Sequence, residues 1–316
     1  MRWLALLLVV PLIACESRVI VSRSPSPQPS ATSTGTPAVS ASPTPSPSPT
    51  KAPLRPIPSF TPATRLVSYH LQTDIPNIPT PLFLLTDDGR VISEDASGQL
   101  VQRKLTPAGA AAIVLQAIET GLFERDASYG REPKPGTTPP ARGYTAMVFL
   151  VANGPREVRV SAEPSGQPDD EMYVPSATRD KLTALARSYD DLSWVPASHW
   201  AEQTPLPYRP AFHRLFLLAQ SAAPPPSSPN ADALWPFLAP IDSVGEPMGG
   251  TLWRCLVLID EDASALARAA IFPLYKAGSR VAEATLARGA GSMRLHISPL
   301  LPHEPASCAG ASPPPY

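Results

Sequence analysis

The chain is poor in the residues from which active sites are usually built. Its 316 residues include only three cysteines and five histidines. The histidines fall at 70, 199, 213, 296 and 303, so no two have the i, i+4 spacing that places a zinc-binding pair on one helix face, and no His-Cys cluster fits a tetrahedral site. There is no G-x-S-x-G elbow, the one S-x-x-K, Ser48 to Lys51, falls in a Pro-rich stretch, and no glycine-rich run leaves a strand and opens a helix to cradle phosphate. Charge of one sign is missing too: 26 basic against 27 acidic side chains leave no basic face for a nucleic acid. No metal and no cofactor is expected from this composition. Long hydrophobic runs are also absent; the longest, Trp3 to Ile13, is too short for a bilayer core of ~30 Å at ~1.5 Å per residue.

What is abundant is proline, 43 residues of it, concentrated first in a stretch of Pro, Ser and Thr from Ser22 to about Thr64. Such a segment has too little apolar surface to fold. It reads as a semi-extended stalk of about 45 residues that, at ~3.1 Å each, reaches ~140 Å. Its Ser and Thr density also invites O-glycosylation.

Ahead of the stalk, Met1-Arg2 and the apolar run end in Leu12-Ile13-Ala14-Cys15. This phrase resembles the lipobox of bacterial lipoproteins. The resemblance implies a signal peptide over 1–14, diacylglycerol on the Cys15 thiol, cleavage before it, and an extracytoplasmic body held to the bilayer by two or three acyl chains, where one alone gives marginal binding. An ordinary signal peptide with a chance cysteine is the alternative. Export also bears on Cys255 and Cys308, the two cysteines that remain: in an oxidising compartment they are expected to form a disulfide.

Beyond the stalk, the pattern predicts an α+β body of antiparallel sheets, each packed with one or two helices. An N-terminal half spans 65–195 and a C-terminal half 206–310, and their order of elements is compatible with a duplication. Alternation at Val67, Tyr69 and Leu71 gives a first strand, Leu82 to Leu85 a central one, and Asp88-Gly89 a hairpin turn. Thr106-Pro107 opens a helix that Gly121 ends. Residues 127–142 read as a mobile loop. Pro155 after Asn153-Gly154 argues for a lengthened turn between the next two strands. A helix covers 177–189, Val195 to Pro210 is a boundary, and Asp260 is expected to cap a short helix between later strands. His70 and His296 fall on the polar phase of their strands, facing solvent.

Paired carboxylates at Asp87-Asp88, Asp169-Asp170-Glu171, Asp190-Asp191 and Asp260-Glu261-Asp262 each have a structural reading: a turn, a solvated loop, a helix exit and a helix start. Calcium in the Asp169 loop is an open alternative. Trp194, Trp200, Tyr208 and Trp235 surround the boundary and form either packing between the halves or an aromatic binding groove. Together with Asp87-Asp88-Gly89 and Leu122-Phe123, the phrase Pro299-Leu300-Leu301-Pro302-His303-Glu304 before Cys308 resembles a loose group of uncharacterised lipoproteins from GC-rich bacteria, for which no activity is implied. The expected role is a non-catalytic module that binds an envelope protein or wall polymer. An envelope hydrolase with an acid pair assembled from distant residues, or an inhibitor of secreted enzymes, is the alternative.

Overall fold

A computed structural model describes residues 51–73, 82–139, 145–272 and 278–314. Cys15 and most of the stalk lie outside them. Two mostly antiparallel sheets, each with helices on one face, make an α+β body within a single unit spanning 49–316.

The first sheet takes β1 (Arg65–Thr73), β2 (Phe83–Thr86), β3 (Arg90–Glu94) and β4 (Leu100–Leu105) as a meander. Gly89 closes the β2–β3 hairpin at φ +79°, and a Cβ there would sit 2.6 Å from the Leu105 carbonyl oxygen, so both conformation and space demand glycine. Helix α1 (Pro107–Glu119) starts where Thr106 accepts a hydrogen bond from the Gly109 amide. Next come β5 (Ala127–Tyr129), β6 (Thr145–Asn153), β7 (Arg156–Ala162), and helix α2 (Ala177–Asp190), which Ser176 caps. Strand β8 (Trp200–Pro207) completes the sheet in the order β5-β7-β6-β1-β2-β3-β4-β8.

Three readings of this half need correction. Residues 127–139 are not a loose loop: β5 pairs with β7 in parallel, and Arg131 is buried against Asp169 at 2.8 Å. The β6–β7 turn is not lengthened, because Asn153 pairs directly with Arg156. Its corner residues are Gly154, at φ +63°, and Pro155, so the amide that proline lacks is not the one the turn uses. The boundary segment around 200–207 is a strand, paired with β4. It lies on the sheet's edge, where Pro205 and Pro207 cost the ladder least.

The second sheet is built from β9 (Phe212–Gln220), β10 (Glu246–Pro247), β11 (Trp253–Ile259), β12 (Ala282–Arg288) and β13 (Gly291–Pro299), ordered β10-β11-β9-β13-β12. One-turn α3 (Ala231–Leu234) and α4 (Asp260–Arg268) cover one face. Asp260 is the first helical residue rather than the cap; Ile259 holds that position without a side-chain bond.

Each sheet is buried on its helix-covered face and, in part, on the other. On the first, Phe83 and Phe149 lie beneath α1 and α2, with Phe83 stacked 4.6 Å from Tyr189 of α2. The opposite face joins Leu84, Ile92 and Leu100 to Tyr208 and Leu301. On the second sheet, Leu215, Leu258 and Ile297 meet Trp235 and Leu266, while Phe216, Leu218 and Trp253 lie under Cys308 and Ala311. Residues 300–311 therefore cover both second faces without forming a helix or strand. The tail's Leu300 amide donates to Phe212, and its carbonyl accepts from the Tyr208 hydroxyl at 2.7 Å.

Packing also begins earlier than the alternation at Arg65 predicts. Ala52 bridges Phe237, the Arg55 amide donates to the Asp262 carboxylate at 3.0 Å, and Phe60 meets Phe212 edge-on at 5.0 Å. These contacts are scattered single residues between prolines, a spacing that leaves no periodic trace in the sequence.

Candidate functional site

A cleft of about 340 Å³ lies where the two sheets meet. Arg209 and Pro210 form one wall, on the link between β8 and β9, and His213 stands one residue into β9. Helix α4 brings Asp260, Ser264 and Arg268 to the same side at intervals of four residues, the repeat that keeps a helical face in register. Its start is tied to the β8–β9 link by the Asp260 amide, which donates to Ala211 at 3.2 Å. Opposite stand Gly278 and Ser279. The Gly278 carbonyl accepts from Leu100 at 2.7 Å and its amide donates to Tyr208 at 2.9 Å. Glycine is required here: at φ +86°, a Cβ would fall 2.8 Å from the Leu100 carbonyl oxygen.

Burial sets the charges. The His213 ring is pushed down to about 4, which makes it neutral near pH 7. Its Nε2 lies 3.9 Å from an Asp260 oxygen, longer than a hydrogen bond. Burial raises the Asp260 carboxyl, Glu261 adds to the rise, and Arg209 opposes it. A neutral imidazole beside a carboxyl group can pass a proton. The described residues do not, however, show a hydrogen-bonded nucleophile in line with them, and among those residues no three His, Cys, Asp or Glu side chains converge as a metal set.

Cys255 and Cys308 are bonded, with Cα atoms 5.9 Å apart. The four aromatics do not share a groove. Trp200 is in the core of the first sheet beneath Arg103, whose guanidinium carbon lies 4.6 Å from the ring centre. Tyr208 is in the seam, and Trp235 is under the second sheet, donating to the Ala239 carbonyl at 2.8 Å. Trp194 is the exposed one, and it donates to Ser188. Three of the four are thus packing residues.

The histidines and acids are placed differently from their phase in the sequence. His296 is buried, edge-on to Phe216 and 3.1 Å from Glu283, because the tail covers the face that alternation assigns to solvent. His70 is half-buried and pushed down to about 4 by burial, then by Arg159 and Arg65. Asp169 and Asp170 are not solvated: Arg131 meets both, and Arg179 meets Asp170 at 3.1 Å. Arginine takes the oxygens that calcium would need. Asp260 carries the only carboxyl group among the described residues that line the cleft, and the clue in the sequence was its four-residue spacing to Ser264 and Arg268. No family model matches the chain, and comparison with curated proteins and with solved structures returned no match either.

Proposed function

We propose that the chain is a lipid-anchored extracytoplasmic protein of a bacterial envelope, whose body acts as a non-catalytic binding module for an envelope protein or wall polymer. The bilayer partner follows from the Leu12-Ile13-Ala14-Cys15 phrase, with acyl chains on Cys15. The observation that carries the reading is the Cys255–Cys308 bridge, which suits an oxidising compartment. Binding without turnover is supported by the employment of the charged groups. Arg65 with Glu157, Arg131 with Asp169, Arg214 with Glu304 and Arg280 with Glu94 all hold elements together.

Two measurements test it. Alkyne-palmitate labelling in the native host is expected to mark the wild type and not Cys15→Ala; equal labelling of both removes the anchor. A pull-down from native envelopes should use residues 49–316 as bait, since truncation at 65 would strip the contacts of Ala52, Arg55 and Phe60. A partner retained by folded bait and lost from denatured bait supports a binding module. The hydrolase reading is favoured by one observation, the His213–Asp260 pair in its cleft; breakdown of wall fragments by wild type but not by His213→Gln would establish it.

A further inference from the structure

We infer that the cleft between the sheets is a binding site for a small oxyanion, a carboxylate or phosphate group, held by Arg209 and Arg268. This rests on the reading of the body as a binding module and names the chemistry its cleft selects.

About half of the described arginines already have carboxylate partners. Arg55, Arg90, Arg179, Arg288 and Arg294 each form an ion pair within 4.0 Å. Arg209 and Arg268 line the cleft, are exposed, and make no ion pair among the described residues. Guanidinium is the side-chain group best matched to a planar or tetrahedral oxyanion, because its donors form a fork that engages two oxygens together. Ser264 and Ser279 line the same cleft. His213 adds no charge at neutral pH. Asp260 is the one carboxyl group among the described lining residues, so among them two cations face a single opposing charge. A volume of about 340 Å³ admits the anion together with a modest organic remainder.

Placement also favours a site over two unrelated surface charges. Arg268 projects from the last turn of α4, where the helix dipole favours a cation. Arg209 comes from a different element, directly after Tyr208, whose amide donates to Leu100 and whose carbonyl accepts from Gly278. Both walls are therefore fixed by backbone hydrogen bonds before any ligand arrives, which lowers the ordering cost of binding. Asp260 sets selectivity: its negative charge weakens a bare anion and leaves room for a ligand carrying its own donor nearby.

The experiment is a calorimetric titration of the full-length chain with inorganic phosphate and, separately, with acetate at neutral pH and low salt. Saturable one-to-one uptake of either anion supports the site, and the tighter of the two names the oxyanion class. Arg209→Gln and Arg268→Gln should each weaken uptake about tenfold. Asp260→Asn should tighten it, an outcome that a merely structural role for these side chains does not produce. Because both arginines are exposed, their variants should melt with the wild type, so a loss of uptake reads as loss of the site. No saturation with either anion, or arginine variants that bind as the wild type does, overturns the proposal. A failed envelope pull-down beside a positive titration would leave the site standing and remove only the larger partner.

Discussion

The two sheets are of similar design on their helix-covered faces and differ in what holds the loops and tail around them. In the first, the segments 130–139 and 163–174 are locked together by charge. Arg131 and Arg179 converge on Asp169 and Asp170, and Arg131 also stacks on the Tyr173 ring at 3.7 Å. In the second, the tail is locked by a covalent bond, Cys255–Cys308, over Phe216, Leu218 and Trp253. An ion network orders segments that already belong to the sheet's own half. The disulfide instead closes a separation of 53 residues, in a tail with few apolar side chains of its own. Long closure without local packing is where a crosslink contributes most.

That contrast can be broken from either side. Replacing both cysteines with serine should destabilise the body by about 4 kcal/mol, the chain-entropy value for a loop of this length. Hydrogen exchange should localise the loss to β9 and β11 and spare β2 and β6; uniform loss of protection would show that the halves unfold as one and the comparison is misplaced. On the other side, Arg131→Met leaves Asp169 buried without its guanidinium and should cost roughly 3 kcal/mol. Here exchange should rise around 164–174 while the second sheet keeps its protection. Replacing Arg131 and Asp169 together by apolar residues should restore much of the loss, since removing both charges also removes the desolvation cost.

Acid sharpens the comparison further, because two of the three histidines pushed down to about 4 lie in the seam and the second half, the third being His70 of β1. His213 and His303 are both pushed down to about 4, His213 by burial and His303 by burial and then Arg65, with Glu304 opposing. A ring whose folded value lies below its ordinary 6.5 binds its proton more readily in the unfolded chain. Its stabilising contribution is present above pH 6.5 and fades as pH falls toward 4. The thermal midpoint should therefore decline through that window, with His213→Gln flattening the slope by on the order of 2 kcal/mol. The raised carboxyl of Asp260 works in the opposite direction at lower pH, so Asp260→Asn should steepen the acid limb. A midpoint that is constant between pH 6.5 and 4 would contradict the burial of these rings.

What was legible in the sequence follows the same division. Elements that carry their own periodicity came through: the alternation of Val67 and Tyr69, the Thr106-Pro107 helix start and the Asp88-Gly89 turn each specify their structure within a few neighbouring residues. Elements that exist only through distant partners did not. The tail from Leu300 to Ala311 has no repeat, yet it decides that His296 is buried. Residues 51–64 look like more stalk because isolated anchors such as Ala52 and Phe60 lack a common period. The cleft was hidden for the same reason, since Arg209, His213, Arg268 and Ser279 are up to 70 residues apart and meet only after the sheets join. The disulfide could be anticipated because it depends on chemistry and compartment rather than on fold.

The smallest predicted effect separates the two regions by a single oxygen atom. Tyr189 and Tyr208 are both buried phenols whose ionisation burial pushes up. Within the first sheet's core, the Tyr189 hydroxyl has no hydrogen-bond partner among the described residues, so Tyr189 stabilises through its ring, stacked on Phe83. In the seam, the Tyr208 hydroxyl satisfies the Leu300 carbonyl of the tail at 2.7 Å. Tyr189→Phe keeps the ring and removes an unsatisfied polar atom, so it should be neutral or stabilising by up to about 1 kcal/mol. Tyr208→Phe leaves a buried carbonyl without its donor and should cost about 1–2 kcal/mol. Chemical denaturation of the two variants side by side decides the matter. Equal losses would mean that the tail does not depend on this bond, and that the disulfide and the apolar contacts of Leu301 hold it against the first sheet without help from Tyr208.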